Sequence, residues 1–350
     1  MSIKFRISVI FFLAASLLLS QTLNAQQQKQ AKVGCIGFYN LENFFDTIKQ
    51  DNLNGEEFTP DGMYRWNTEK YNIKLKNMSE VISKIGDELV KGGPIIMGVS
   101  EIENRSVLED LVIQPALKPM NYGIVHYDSP DRRGIDVGFI YQKQHFKVTK
   151  SYVVPLTMPD DTSFRSRDQL VVYGLFDGDP ICVIVNHWPS RSGGEKKSEP
   201  KRERAAQVCR SIADSIMKKD PNAKIIIMGD LNDDPNNTSL LKFLKAKKTM
   251  EETKPGDLFN PMYKLFKDGI GSLAYRDSWN LFDQIIVSYP LIEKDKSSYR
   301  LYQAKIYNKN YLTTKDGQYT GYPWRTFSGT TFTAGYSDHF PSYIFLVKEK

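Results

Sequence analysis

Apolar positions along this chain fall into two kinds of run. Nearly unbroken stretches at Val33–Tyr39, Ile95–Val99, Ile181–Val185 and Ile225–Met228 have the length and β-branched content of strands buried on both faces. Others keep helical spacing. Between Lys70 and Val90, Ile73, Met78, Val81, Ile82, Ile85 and Leu89 form one stripe, stopped by Gly92-Gly93-Pro94. A second helix is predicted from about Ser198 to Lys218, with Pro200 in its first turn and Ala205, Val208, Cys209, Ile212 and Ile216 on one face. A short helix is expected over 105–117. Strand-like segments fall at 122–127, 135–141, 146–154 and 168–176, with further segments at 272–275 and 281–288. Residues 50–67 read as a polar loop, and the Tyr-, Lys- and Gly-rich stretch 299–330 as a mobile one. No repeat of 20–50 residues is present. Comparable strand–helix–strand units in each half, interleaved with hairpin-like runs, favour a mixed α/β fold of two packed sheets with helices outside.

The strands end in an unusual way. Ile225–Met228 runs into Gly229-Asp230-Leu231-Asn232-Asp233-Asp234-Pro235, where a buried strand has no need of carboxylates. An Asx-rich turn closed by Pro235 would also stop such a strand. Four other strand ends or adjoining loops carry the same chemistry, however: Asn40/Glu42, Glu101, His187 and Asp338/His339. Asp283 lies among Phe282, Ile285 and Ile286, where an ionisable group is costly without a partner. Oxygen ligands with few imidazoles suit Mg2+, Mn2+ or Ca2+ better than zinc. A magnesium site needs one or two carboxylates, and Glu101, assisted by Asn40 or Glu42, meets that need.

Composition changes the picture at one end only. The chain has 350 residues, 41% hydrophobic, ample for a large core. Lys4 and Arg6 precede the apolar run Ile7–Leu19, and Ala25 stands at a plausible cleavage point. Residues 1–25 therefore read as a secretory signal peptide, too short for a comfortable membrane span, with an uncleaved anchor as the alternative. Residues 26–32 form a Gln-rich linker and 33–348 the functional domain. Cleavage removes two positive charges and no acidic ones, taking the net charge from +6 to +4. That is mildly basic, compatible with an anionic substrate but short of a dedicated nucleic-acid binder. Cys35, Cys182 and Cys209 lack metal spacing and read as buried thiols, with one disulfide open in an oxidising compartment.

Six motifs in order, Asn40-Leu41-Glu42-Asn43, Ser100–Asn104, Arg133–Gly138, Asn186–Arg191, Gly229–Asn232 and Ser337–His339, resemble those of the endonuclease/exonuclease/phosphatase superfamily, the DNase-I-like fold. The resemblance implies a four-layer α/β sandwich with two central sheets and a divalent-metal phosphoesterase site at their edge. It implies Glu101 as principal metal ligand, with Asn40 and Glu42 beside it and Asp338 as a second metal-side carboxylate. It makes His339 the imidazole acting on water or phosphate, Asp283 the carboxylate that orients it, and Asp230 with Asn232 the pair that aligns the water. His187 takes the position of a phosphate contact, and Arg133, Asp136 and Arg191 fall where substrate is held. The chain departs from the pattern at Gln284, where relatives often carry an aromatic residue or a second histidine. The expected function is an exported, Mg2+-dependent phosphodiesterase, a nuclease on DNA or RNA, acting as a monomer with no stable protein partner. A phosphatase or phospholipid head-group hydrolase is the alternative. The charged run 196–204, with interleaved glutamates, reads as a solvated face.

Overall fold

The computed structural model describes residues 31–51 and 56–349, so the expected signal peptide lies outside the described residues. In chain order the strands are β1 (Ala31–Phe44), β2 (Ile96–Ile102), β3 (Tyr122–His126), β4 (Asp136–Gln142), β5 (Phe146–Val154), β6 (Gln169–Phe176), β7 (Asp179–His187) and β8 (Ile225–Asp230). Then come β9 (Ala246–Lys247), β10 (Leu258–Phe259), β11 (Leu273–Tyr275), β12 (Ser278–Asn280), β13 (Asp283–Ser288), β14 (Arg300–Ile306), β15 (Phe327–Ser328), β16 (Thr331–Phe332) and β17 (Ser342–Glu349). The α-helices are α1 (Thr68–Lys84), α2 (Arg105–Val112), α3 (Glu195–Lys219) and α4 (Met262–Lys267).

One sheet has six strands in the order β14-β17-β1-β2-β4-β3, the other seven in the order β5-β6-β7-β8-β13-β10-β9. Each is built on a central parallel pair, β1/β2 and β7/β8, flanked by antiparallel strands, and the second sheet ends in a short parallel pair, β9/β10. The unbroken apolar runs follow from this layering. Val183, Val185, Ile226, Met228, Ile285 and Val287 enter a core shared with the first sheet. Their neighbours Ile184, Ile225, Ile227 and Ile286 pack instead with Ala205, Cys209, Ile212 and Ala213 of α3. α1 and α2 close the first sheet with Met78, Val81, Ile82, Leu108 and Leu111. The result is four layers, helix–sheet–sheet–helix.

Several expectations are corrected in detail. α1 stops at Lys84 rather than Val90, because Gly86 takes a left-handed φ of 79°. α2 stops at Val112, two residues before Gln114-Pro115. α3 starts at Glu195, which places Pro200 in its second turn. Arg202, expected in a solvated run, is wholly buried and its Nε lies 2.7 Å from Asp233. The stretch 299–330 is largely ordered by pairing: β14 adds to the sheet edge beside β17, and Phe327 and Phe332 pack on Trp66. A bulge between Leu301 and Gln303 breaks the alternation that would have marked β14 as a strand. All three cysteines are free and buried. Among the described residues no helix is long and apolar enough to cross a membrane.

Candidate functional site

The topology brings the polar strand ends to one edge. β1, β2, β7 and β8 deliver Asn40, Glu101, His187 and Asp230 at or near their C-terminal ends. β13 runs antiparallel to β8, so its first residue, Asp283, stands directly opposite Asp230. His187 is opposite Asp230 on the other side. β17 runs antiparallel to β1, and the turn before it supplies Asp338 and His339.

Local backbone strain aims the ligands. β1 is bulged between Asn40 and Phe44, and β2 between Ser100 and Ile102. Glu42, Asn43, Glu101 and Asn232 all hold positive φ, between 47° and 59°. Left-handed backbone costs a non-glycine residue about 1 kcal/mol and persists only where the surroundings fix it. Here the bulges turn consecutive polar groups towards one cleft. Gly229 is needed for a related reason. A Cβ there would lie 2.3 Å from the Asn186 carbonyl oxygen, so only glycine lets β8 approach β7 while presenting Asp230.

Two polar systems meet in the cleft. In the first, His339 Nδ1 donates to Asp283 Oδ2 at 2.6 Å, and its Nε2 faces Asp230 Oδ2 at 3.9 Å. Asp230 is held in turn by the Asn40 side-chain amide at 3.1 Å and the Asn232 backbone N–H at 3.0 Å. His187 Nε2 lies 3.6 Å from Asp230 Oδ2 and 3.9 Å from Glu101 Oε1, which places it between the two systems. In the second, Glu101 accepts the Asn43 backbone N–H at 2.9 Å, with Arg133 Nη2 at 3.3 Å.

Electrostatics separates the roles. Burial alone would lower the His339 imidazole, but Asp283, Asp230 and Asp338 hold it well above its ordinary value. Burial pushes the Asp230 carboxyl up to about 7, against the pull of His339. Burial would also raise Glu101, but the Arg133 guanidinium leads the groups that bring it down to about 2. Desolvation would raise Asp338, which is half-buried, but His339 and Arg325 keep it below its usual range. Burial first, then Arg167, lowers His187 well below its ordinary value, leaving it neutral. The site thus pairs an imidazolium with a proton-accepting carboxyl, beside two carboxylates whose neighbours favour the ionised form.

That donor set fits a hard cation. Glu101 and Asp338, both held below the usual carboxylate range, would offer such an ion oxygen. Asp230, Asp283 and His339 also bring ligand atoms within 4.8 Å of one another.

Three of the expected residues lie differently. The Glu42 carboxylate accepts the Thr326 N–H at 2.7 Å and lies 3.9 Å from both Lys74 and Arg325, so it anchors the loop that precedes Asp338. Asp136 spends its two oxygens on His126 at 2.9 Å and on the Ser129 N–H at 2.8 Å. Arg191 is tied to the Asn232 carbonyl and to Asp233, with its guanidinium over the Phe282 ring, and props the turn after β8. Gln284 faces away from the cleft, where its amide donates to the Asp233 carbonyl and accepts from Asn260.

Sequence reasoning missed Arg325, Lys74 and Arg167. Arg325 pairs with Asp338 at 2.6 Å. Lys74, fully buried, donates to Thr326 Oγ1 and to the Tyr336 carbonyl, pinning both ends of the loop that delivers Asp338 and His339. Arg167 donates to the carbonyls of His187 and Trp188 and so fixes that corner. The signal for Lys74 was there: it shares the phase of Tyr71, Leu75 and Met78 on the buried face of α1.

The sequence profile of the Endonuclease/Exonuclease/phosphatase family matches residues 35–348. No curated protein matches the chain. Among solved structures, an endonuclease/exonuclease/phosphatase family protein from Bacteroides thetaiotaomicron is similar at 16% identity, covering 92% of this chain and 97% of its own, with a TM-score of 0.54. A humanized D. rerio TDP2 is similar at 12% identity, over 90% and 98%, with a TM-score of 0.54. A mannosyl-6-phosphatase of B. thetaiotaomicron is similar at 16% identity, over 89% and 99%, with a TM-score of 0.53. At these identities the likeness is one of fold.

Proposed function

Since the chain belongs to the endonuclease/exonuclease/phosphatase family and carries that family's metal-dependent phosphoesterase architecture, we propose that it is an exported nuclease that hydrolyses phosphodiester bonds of DNA or RNA. The observation that carries this reading is the convergence of Asp283–His339, Asp230 and Glu101 on one cleft.

Each residue has work that its surroundings suit. A carboxyl held at about 7 is near the operating pH, where a general base is most effective, so Asp230 takes the proton of the attacking water. Asn40 and Asn232 fix its orientation. His339, kept protonated by Asp283, offers Nε2–H to the negative charge that grows on the phosphate oxygens. Neutral His187 lies within reach of the same oxygens, and Arg133 closes the Glu101 side. Glu101 and Asp338, with Asn40, would hold Mg2+, and Mn2+ or Ca2+ would suit the same oxygens. A cation there neutralises phosphate charge and acidifies bound water. The mildly basic mature chain and the Lys4/Arg6–apolar–Ala25 leader support an anionic polymer met outside the cytoplasm.

The test is incubation of the mature protein with DNA and RNA plus Mg2+, with and without chelator, beside a panel of phosphomonoesters. Chelator-sensitive cleavage of either polymer is expected. Intact polymers alongside rapid hydrolysis of another phosphoester would overturn the nuclease. A phosphatase is the second reading, favoured by a compact cavity of about 430 Å3 beside Asp338, the size of one small organic group. A lipid head-group enzyme fits less well, because Phe327 and Phe332 turn inward onto Trp66 instead of forming an apolar insertion loop.

A further inference from the structure

We propose that this cavity, between the β11–β12 hairpin and the loop 314–333, binds a nucleobase joined through its sugar to the scissile phosphate. The inference rests on the nuclease reading and names the part of the substrate that the cavity selects.

Its position is the first argument. Arg325 and Asp338 line it, and Asp338 Oδ1 is 3.9 Å from His339 Nε2, so an occupant lies one sugar's reach from the reacting phosphate. Arg325 and Asp338 also line a second cavity of about 260 Å3 that reaches Glu42 and Asn43, the residue whose N–H holds Glu101. Substrate therefore has room on both sides of the Arg325–Asp338 pair, as a diester requires.

The lining is the second argument. Tyr275 and Tyr319 line the cavity while 62% and 51% exposed, a costly way to place large rings, and Tyr319 meets only the Tyr322 ring beside it at 5.7 Å among the aromatic contacts of the described residues. Tyr322 and Trp324 complete an aromatic wall. A ring system of this kind suits a flat π-face, since stacking is available to every base. Gln318 and Thr314 add donors and acceptors for a base edge. Arg276 lies over the Tyr275 ring at 5.2 Å and makes no ion pair among the described residues, which leaves its guanidinium for an adjoining phosphate.

The cavity is also built in advance. Tyr322 donates its hydroxyl to Asp277 Oδ1 at 2.6 Å and accepts the Asp277 N–H at 2.9 Å, locking the hairpin tip to the loop. Trp279, in the second strand of the hairpin, stacks on Phe340, the residue after His339. A base seated there is thus referenced to the imidazole through rigid contacts.

The experiment is calorimetric titration of the full mature protein, in chelator so that nothing turns over, with adenosine 5′-monophosphate and with ribose 5-phosphate. Wild type should bind the nucleotide about tenfold more tightly, and Tyr275→Ala/Tyr319→Ala should bring the two affinities together. Both rings are more than half exposed, and a melting curve checks that the variant folds. Equal affinities in wild type, tighter binding of the sugar phosphate, no measurable nucleotide binding, or a preference that survives the double substitution would each overturn the proposal. Base-dependent binding without polymer cleavage would sink the nuclease and leave the cavity. Polymer cleavage without base-dependent binding would do the reverse.

Discussion

At the scale of single residues, the site is a set of protonation states fixed by neighbours. Asp283 is wholly buried and spends one oxygen on His339, so Asp283→Asn removes the charge that keeps the imidazole protonated. The His339 pKa should then fall towards its ordinary value, seen by NMR titration of the ring, and hydrolysis should drop at least about a hundredfold. An unchanged titration would detach Asp283 from this role. The linkage has a sign. The folded-state pKa of His339 lies above its unfolded value, so its contribution to stability is complete below about pH 6.5 and is lost as pH rises through the raised value. The melting-temperature gap between wild type and His339→Gln should accordingly shrink in alkaline buffer. A gap that stays flat from acid to alkaline pH contradicts the assignment.

At the scale of elements, α3 and β8 hold the site from behind. Arg202 reaches from the buried stripe of α3 to Asp233, which also takes the Ser239 hydroxyl and Arg191. Removing the guanidinium leaves a buried carboxylate short of its nearest cationic partner. Arg202→Met should cost about 3 kcal/mol in urea unfolding, whereas exposed Lys197→Met should stay within about 0.5 kcal/mol. Similar costs for the two would mean that Asp233 is satisfied without Arg202. Gly229→Ala is an element-scale change too, since the added methyl meets the backbone of β7. Overpacking of this sort costs about 1–3 kcal/mol, and here it would also displace Asp230, so stability and activity should fall together.

At the scale of the whole molecule, the two sheets act as one clamp whose rim gathers side chains that could hold a cation. Mg2+ that binds only the folded rim should raise the melting temperature, by about 2.7 kcal/mol of stability at a hundredfold excess over Kd. Chelator should reverse the gain, and Glu101→Gln should abolish it. A gain that persists in Glu101→Gln would move the ion to Asp230, Asp283 and His339, whose atoms are also close enough together.

The sequence alone determined the layered α/β architecture and most of the rim. Strands buried on both faces must be apolar throughout, so carboxylates and amides at their ends stood out at Asn40, Glu101, Asp230 and Asp283. Periodicity likewise located α1 and α3, though not the buried charges Lys74 and Arg202 inside their apolar stripes. Only tertiary structure decided who pairs with whom. Asp136 and Arg191 lie beside motifs, yet their polar atoms are taken up by His126, Ser129 and the Asp233 turn. Arg325 belongs to no motif and still borders the site, because Lys74 and Glu42 pin its loop there. Burial pattern is written locally along a chain, residue by residue. Partnership between charges depends on which distant segments the packed sheets bring face to face.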